Sequence, residues 1–355
     1  MTAEAQTELA PTKHDVLFTH AVLWGAASIA ATVHKGVRLG WTRGLSPTAI
    51  VYGIAPNELA AAVRQRALRS IEPSHWIQTA QPHDRTRALF SPRIKALPDA
   101  AAWTAMRLVR EEQVDRLAGQ RATLDLRLLS ALGEPSWWHH NRGKPRQDDS
   151  ASRLEMQPRN QGSEFVGTLL RKLAAAVAAR SEAEVAAGLT GVTRTDEAGK
   201  DEPGSRSAGN LRPPGPTDNA LAWVAMWGLA SVPVAHQIHT PSHTAAYLAS
   251  SRNTQVHEDR KADHVVVPLW TDRWTVGRLR GVLASRALTG RGHAALFDNV
   301  GCAKAQHDEV WLLQQGVRAL VLLPVGTFGS GSAPERRVLP GRVARLGVTL
   351  GPPSS

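Results

Sequence analysis

The chain has 355 residues, 42 % of them apolar, and its 42 lysines and arginines outnumber 31 aspartates and glutamates to give a formal net charge of +11. This composition excludes collagen-like, coiled-coil and wholly disordered chains, and the length allows about two domains. The single cysteine, Cys302, excludes an intramolecular disulfide and any multi-cysteine zinc or iron–sulfur site. Chains without a disulfide framework are typical of the cytoplasm, which is the localisation that we expect.

Apolar periodicity predicts a helix-rich first half of the chain. Residues 16–33 form an apolar run that is borderline in length and only moderately hydrophobic for a membrane span, which needs about 20 residues. The segment before this run is acidic rather than basic, unlike a signal peptide. We therefore expect a buried helix and no membrane partner. A short strand is predicted at 37–41, and helical spacing recurs at 59–71, 99–117, 122–132, 165–177 and 181–188.

Two of these helices begin with recognisable caps. Asp99 is a candidate N-cap because its carboxylate can accept a hydrogen bond from the first turn. Ser181 and Glu184 have the spacing of a capping box, in which each side chain binds the backbone N–H of the other residue.

The clearest change in composition is at 193–219, which is rich in glycine, proline, serine and charge and has one large apolar residue, Leu211. Such a segment buries too little apolar surface to offset the entropy of ordering, so we expect a flexible linker or loop. It would separate a helix-rich domain, 1–192, from a smaller mixed α/β region, 220–355. That region is predicted to hold helices at 220–232 and 275–288 and strands at 264–270 and 318–325. The predicted fold class is α+β.

A short internal similarity links two of the apolar helical runs. Residues 24–29 and 227–232 match at four of six positions, including the pairs Trp24-Gly25 and Trp227-Gly228. Small residues at these places would let two helices pack closely. One six-residue match is far short of a repeat signature, so we interpret the similarity as chance.

Catalytic patterns are weak in this sequence. His-Asp pairs occur at 14–15, 83–84 and 307–308, and a metal phosphohydrolase would use such a pair with further His and Asp ligands on neighbouring helices. No helical series of ligands surrounds any of them, and a chain with 14 histidines contains such pairs easily. We therefore expect no enzyme activity, no metal and no cofactor, with a metal-dependent phosphohydrolase or nuclease as the less favoured alternative.

The segment 137–159 has a composition suited to nucleic acid, because tryptophans for stacking lie beside cations for phosphates. The net positive charge of the whole chain favours the same interpretation. We expect phosphate contacts from five residues of this segment: Arg142, Lys144, Arg146, Arg153 and Arg159. Trp137 and Trp138 are the expected stacking platforms, and Asn160 is expected to contact a base edge or a sugar.

Three stretches resemble proteins of type I-G (formerly I-U) CRISPR loci: ASRLEMQPRNQGSEFVG at 151–167, LRLLSALGEP at 126–135 and AWVAMWGLASVP at 222–233. The resemblance is to the helicase-nuclease extension family or to a relative of the large effector subunit. It implies an accessory subunit of an RNA-guided DNA interference complex. The implied partners are CRISPR RNA or target DNA and other CRISPR-associated proteins, including a helicase-nuclease. No helicase motif is visible in this chain, so that activity would come from another one.

A structural adaptor is the alternative from a different class. In that case the positive charge would only keep the protein soluble, and apolar contacts through Trp223, Trp227 and their neighbours would hold a protein partner.

Overall fold

The computed structural model describes residues 5–10, 12–44, 46–91, 97–134, 140–141, 144–145, 151–154, 165–235, 242–249, 262–329 and 335–347. Within these ranges the chain is a mixed α+β protein, which confirms the predicted fold class. The helices are α1 Leu17–Ala30, α2 Pro56–Ile71, α3 Ala100–Gly119, α4 Thr123–Leu132, α5 Arg171–Ala179, α6 Glu182–Thr190, α7 Asn219–Gly228, α8 Val276–Leu283, α9 Arg286–Leu296 and α10 Ala303–Gln314. A π-helical turn, Phe165–Leu170, leads into α5, and a 3₁₀ turn, Leu229–Ser231, follows α7.

The strands are short except in the second half of the chain. They are β1 Gln6–Glu8, β2 Arg38–Trp41, β3 Ala49–Tyr52, β4 His140–Asn141, β5 Lys144–Pro145, β6 Val234–Ala235, β7 His243–Thr244, β8 Tyr247–Ala249, β9 Ala262–Trp270, β10 Val317–Phe328, β11 Glu335–Val338 and β12 Arg342–Arg345.

All the strand pairs are antiparallel. The first sheet has the order β1-β3-β2, and the second has the order β8-β9-β10-β11 with β12 also paired to β10. Strand β10 is long enough to pair with β12 through Ala319–Leu322 and with β11 through Val325–Phe328. In β9 three consecutive valines, Val265 to Val267, are all buried, so both faces of this strand are covered.

The centre of the molecule is the contact between α1 and α7. Every residue of both helices is buried, which is why their sequences are apolar all round. A Cβ atom on Gly25 would lie 1.8 Å from the carbonyl oxygen of Val224, and one on Gly228 would lie 2.1 Å from that of Ala21. The two Trp-Gly pairs therefore meet at one helix crossing, and the expectation that small residues allow close packing there is confirmed.

Residues 193–219 differ from the flexible connection that their composition predicts. They form no helix or strand before α7, but the Asp196 carboxylate is fully buried. It accepts hydrogen bonds from the Ser205 and Ser207 hydroxyls (2.5 and 3.0 Å) and from the Asn219 amide (2.7 Å). The segment is a packed polar loop, because side-chain hydrogen bonds hold it in place of apolar contacts.

The buried apolar residues on the two sides of this loop form one contiguous core. Division of the chain into domains at this loop stays a prediction. Among the residues of the model, no helix is both long and apolar enough to span a bilayer.

One predicted helix is interrupted. The pattern at 275–288 suggests a single helix, but the chain ends α8 at Leu283 and begins α9 at Arg286. Ser285 stands at the break, and its hydroxyl accepts a hydrogen bond from the Leu288 N–H as the N-cap of α9.

Candidate functional site

The structure describes only two of the residues predicted to contact nucleic acid. Lys144 lies in β5, opposite Asn141 of β4. Arg153 is 6 % exposed, and its backbone N–H donates a hydrogen bond to the Thr244 hydroxyl at 2.9 Å. The other predicted residues lie outside the described ranges: Trp137, Trp138, Arg142, Arg146, Arg159 and Asn160. Contact between this segment and nucleic acid stays a prediction.

A different group of cations lies together at the ends of four helices. The C-terminal ends of α1, α2 and α3 and the beginning of α4 surround a cleft of about 590 Å³. Two carboxylates line it, those of Glu72 and Asp125, against five guanidinium groups: Arg66, Arg69, Arg116, Arg121 and Arg127. The cleft therefore carries the surplus of positive charge that an anionic ligand requires.

One arginine of the cleft is neutralised by a buried carboxylate. Asp125 accepts hydrogen bonds from Arg66 Nη1 at 2.6 Å and from Trp76 Nε1 at 2.9 Å, and His75 Nε2 lies 3.4 Å from it. Burial would raise the pKa of Asp125, but the contact with His75, the charge of Arg66 and the hydrogen bond from Trp76 together hold this pKa well below its usual range. Arg66 also lies over the ring of Trp227, 4.7 Å from its centre. This cluster joins α2, α4 and α7 and is structural.

His75 is poorly placed for proton transfer, although it lies in the cleft beside a carboxylate. Its Nε2 faces Asp125, and its Nδ1 accepts a hydrogen bond from the Ile77 N–H at 3.3 Å. Both ring nitrogens are therefore engaged within the protein, whereas a general acid or base must reach a substrate atom.

The other four arginines are available to a ligand. Arg69, Arg121 and Arg127 are exposed and have no carboxylate partner among the residues that the structure describes. Arg116 donates from Nη2 to the Ser74 carbonyl oxygen and to the Gln113 side chain, both neutral acceptors. Against these four guanidinium groups stands one carboxylate, that of Glu72.

The positive charge continues beyond the cleft toward α8. Arg280 donates a hydrogen bond to the carbonyl oxygen of Ala230. Burial lowers the pKa of Arg280, and the charge of Arg127 lowers it further. Since like charges repel, an anion between these two arginines would stabilise both.

The cleft could not be recognised from local sequence. Its arginines are spread over 66–127 and come from three helices and a turn, so only the tertiary fold brings them together. The one local signal is the backbone of Arg121, which has φ of 54°, a left-handed value that is uncommon outside glycine and often found at functional sites.

The alternative sites find less support in the fold. Trp223 and Trp227 are fully buried in α7, so they cannot form the apolar surface predicted for an adaptor. Of the His-Asp pairs, Asp84 accepts hydrogen bonds from the backbone and hydroxyl of Thr86 in its own turn. Within the described ranges, no three His, Cys, Asp or Glu side chains are grouped so as to hold a metal ion.

Comparison with known proteins assigns no family to the chain. It matches no protein-family model, and no curated protein is significantly similar to it.

Proposed function

We propose that this protein is a non-catalytic, nucleic-acid-binding subunit or accessory module of a CRISPR RNA-guided DNA interference complex. The observation that carries the nucleic-acid part is the cleft, where four available arginines face one carboxylate. Guanidinium groups bind phosphate with paired hydrogen bonds and never lose their charge at physiological pH. The assignment to a CRISPR complex rests on the resemblance at 126–135, 151–167 and 222–233.

The cleft is suited to the sugar-phosphate backbone and not to bases. The aromatic rings among its described lining residues are those of Trp76, which is fully buried, and His75, which is engaged with Asp125. No ring face is thus offered for base stacking. Binding through phosphates alone is independent of sequence and weakens steeply with salt.

Such a role fits an RNA-guided complex. In these complexes base pairing selects the target, and protein subunits hold the backbone and recognise its shape. The expected partners are CRISPR RNA or target DNA and other CRISPR-associated proteins, with cleavage and unwinding supplied by a helicase-nuclease.

The test is a double variant, Arg121→Gln with Arg127→Gln, with a labelled single strand of mixed sequence as the probe. Both side chains are exposed and neither lies in the last turn of a helix, so the fold is expected to persist. Fluorescence anisotropy is expected to show about a tenfold or greater loss of affinity at low salt, and a salt slope shallower by roughly two, because each lost phosphate contact removes about one unit.

Arg345→Gln is the matched control. Arg345 is exposed on β12, away from the cleft, and its loss changes the net charge in the same direction. The control is expected to keep the affinity within about twofold and to keep the salt slope. If one arginine removed from β12 weakens binding as much as one removed from the cleft, the charge of the whole molecule acts and the cleft is not the interface.

A further inference from the structure

Resting on the proposed function, we infer that the cleft binds the terminal phosphate of a nucleic-acid strand, a phosphomonoester, in preference to phosphodiesters within the strand. The cleft's size, its unpartnered donors and its charge point to the same ligand.

The size of the cleft limits how much of a strand can enter. A volume of about 590 Å³ lies in the range of small-molecule sites, about 300–1,000 Å³. It has room for a nucleotide or two and not for an extended strand. A strand whose end enters the cleft meets this limit without sharp bending.

Two buried hydrogen-bond donors in the cleft have no acceptor within the described part of the chain. The Ser28 side chain of α1 is 6 % exposed, and its hydroxyl has no hydrogen-bond partner. The Nε–H of Arg116 on α3 is likewise buried without a partner. Unsatisfied buried donors are costly, and an acceptor-rich group in the cleft would remove that cost.

A terminal phosphate supplies more acceptor oxygens than a diester. It has three oxygens free to accept hydrogen bonds, and donors in the cleft approach from separate elements: Ser28 from α1, Arg116 from α3 and Arg127 from α4. A phosphodiester has two such oxygens and is tied to a sugar on both sides. The monoester therefore satisfies more of these donors together.

The balance of charge also favours a strand end. Four available arginines against Glu72 leave a surplus of positive charge that one diester, with a single negative charge, does not match. A phosphomonoester carries about −1.5 to −2 at neutral pH, and the diester next to it adds one more negative charge. The beginning of α4 faces the same cleft with Ala122 at its N-cap, which provides no side-chain cap.

The experiment compares internally labelled strands of one sequence that differ only at their ends. They carry a 5′-phosphate, a 3′-phosphate or hydroxyl groups at both ends, each in DNA and in RNA. Anisotropy at moderate salt is expected to show about tenfold tighter binding of at least one phosphorylated strand, since charge-assisted hydrogen bonds are the strong ones. The DNA and RNA series identify which strand is the source of the phosphate.

Ser28→Ala separates ligand binding from folding. Because the hydroxyl has no protein partner, its removal is expected to leave the thermal unfolding temperature unchanged or slightly raised. The preference for the phosphorylated strand is expected to fall severalfold in this variant, and Arg345→Gln is expected to retain it. Loss of stability without a change in preference would assign Ser28 to the core alone and contradict the inference.

The remaining outcomes separate the two proposals. Equal affinity for all ends, with weak binding by the Arg121→Gln, Arg127→Gln variant, overturns recognition of a strand end and leaves nucleic-acid binding in place. If no strand binds but inorganic phosphate or a nucleoside monophosphate does, both proposals fail and the cleft takes a small anion.

Discussion

His20 is a titratable side chain enclosed completely within α1. Its Nε2 lies 2.7 Å from the carbonyl oxygen of His14, and its ring contacts the edge of Trp41 at 4.9 Å between centroids. Burial lowers the pKa of His20 to about 4; the hydrogen bond to His14 opposes this shift, and the charge of His14 adds to it. The folded protein therefore holds this imidazole neutral at pH values where the unfolded chain protonates it.

This difference predicts a loss of stability on mild acidification. Between the unfolded pKa of about 6.5 and the folded pKa of about 4, the unfolded state binds more protons, so the free energy of unfolding falls as the pH falls. From about pH 7 to about pH 5 the loss from His20 is about 2 kcal/mol. Urea unfolding at the two pH values measures it.

His20→Gln is the comparison, because glutamine keeps an N–H for the His14 carbonyl oxygen and does not titrate. The variant is expected to lose about 2 kcal/mol less than the natural chain over the same interval. Asp125 does not confuse the result, since its pKa lies well below the usual carboxylate range. An equal loss in both proteins would show that His20 is not the group responsible.

Individual residues also show where sequence interpretation reaches its limit. Arg153 was expected on the surface because its neighbours in sequence are polar and charged, yet it is buried against β7. Trp223 and Trp227 were considered for a partner surface and are fully buried. Burial depends on what the rest of the chain places over a residue, and local composition does not contain that information.

Helices were predicted more accurately where local capping chemistry marks their ends. The Asp99 carboxylate accepts a hydrogen bond from the Ala102 N–H, and Ser181 and Glu184 form the expected reciprocal pair. These contacts join residues only three positions apart, so the sequence alone is enough. The loop at 193–219 is the opposite case, because Asp196 is bound by groups up to 23 residues away.

The crossing of α1 and α7 predicts a strong effect of a single methyl group. Gly25→Ala would place its Cβ against the Val224 carbonyl oxygen, an atom of a helix backbone that cannot move aside without moving α7. Overpacking costs about 1–3 kcal/mol, which outweighs the gain of up to about 1 kcal/mol from the helix propensity of alanine. We expect a lower free energy of unfolding by chemical denaturation.

Gly281→Ala gives the same chemical change without the contact. Gly281 lies on the exposed side of α8, and an added Cβ would meet nothing within 4 Å. This variant is expected to be neutral or more stable by up to about 1 kcal/mol. A Gly25→Ala protein as stable as Gly281→Ala would mean that the two helices do not approach so closely.

The largest-scale arrangement was the least accessible to prediction. The α+β class and most helices follow from periodicity, but the cleft needs α1 to α4 to converge, and its Arg66 lies over Trp227 from beyond the loop at 193–219. Such contacts link residues more than a hundred positions apart. Neither composition nor spacing specifies them, and the family resemblance is of no help with geometry.

The same long-range contacts predict that the chain unfolds as one unit. Helices α1 and α7 lie on opposite sides of the predicted boundary, and separating them would expose Trp24, Trp223 and Trp227, all of which are buried in their contact region. Exposing even one such side chain costs several kcal/mol, so neither half is expected to remain folded alone. Calorimetry of the full chain is expected to show one transition with equal calorimetric and van't Hoff enthalpies. Two separate transitions would instead support independent domains joined at 193–219, and the core shared by both halves would then contribute little to stability.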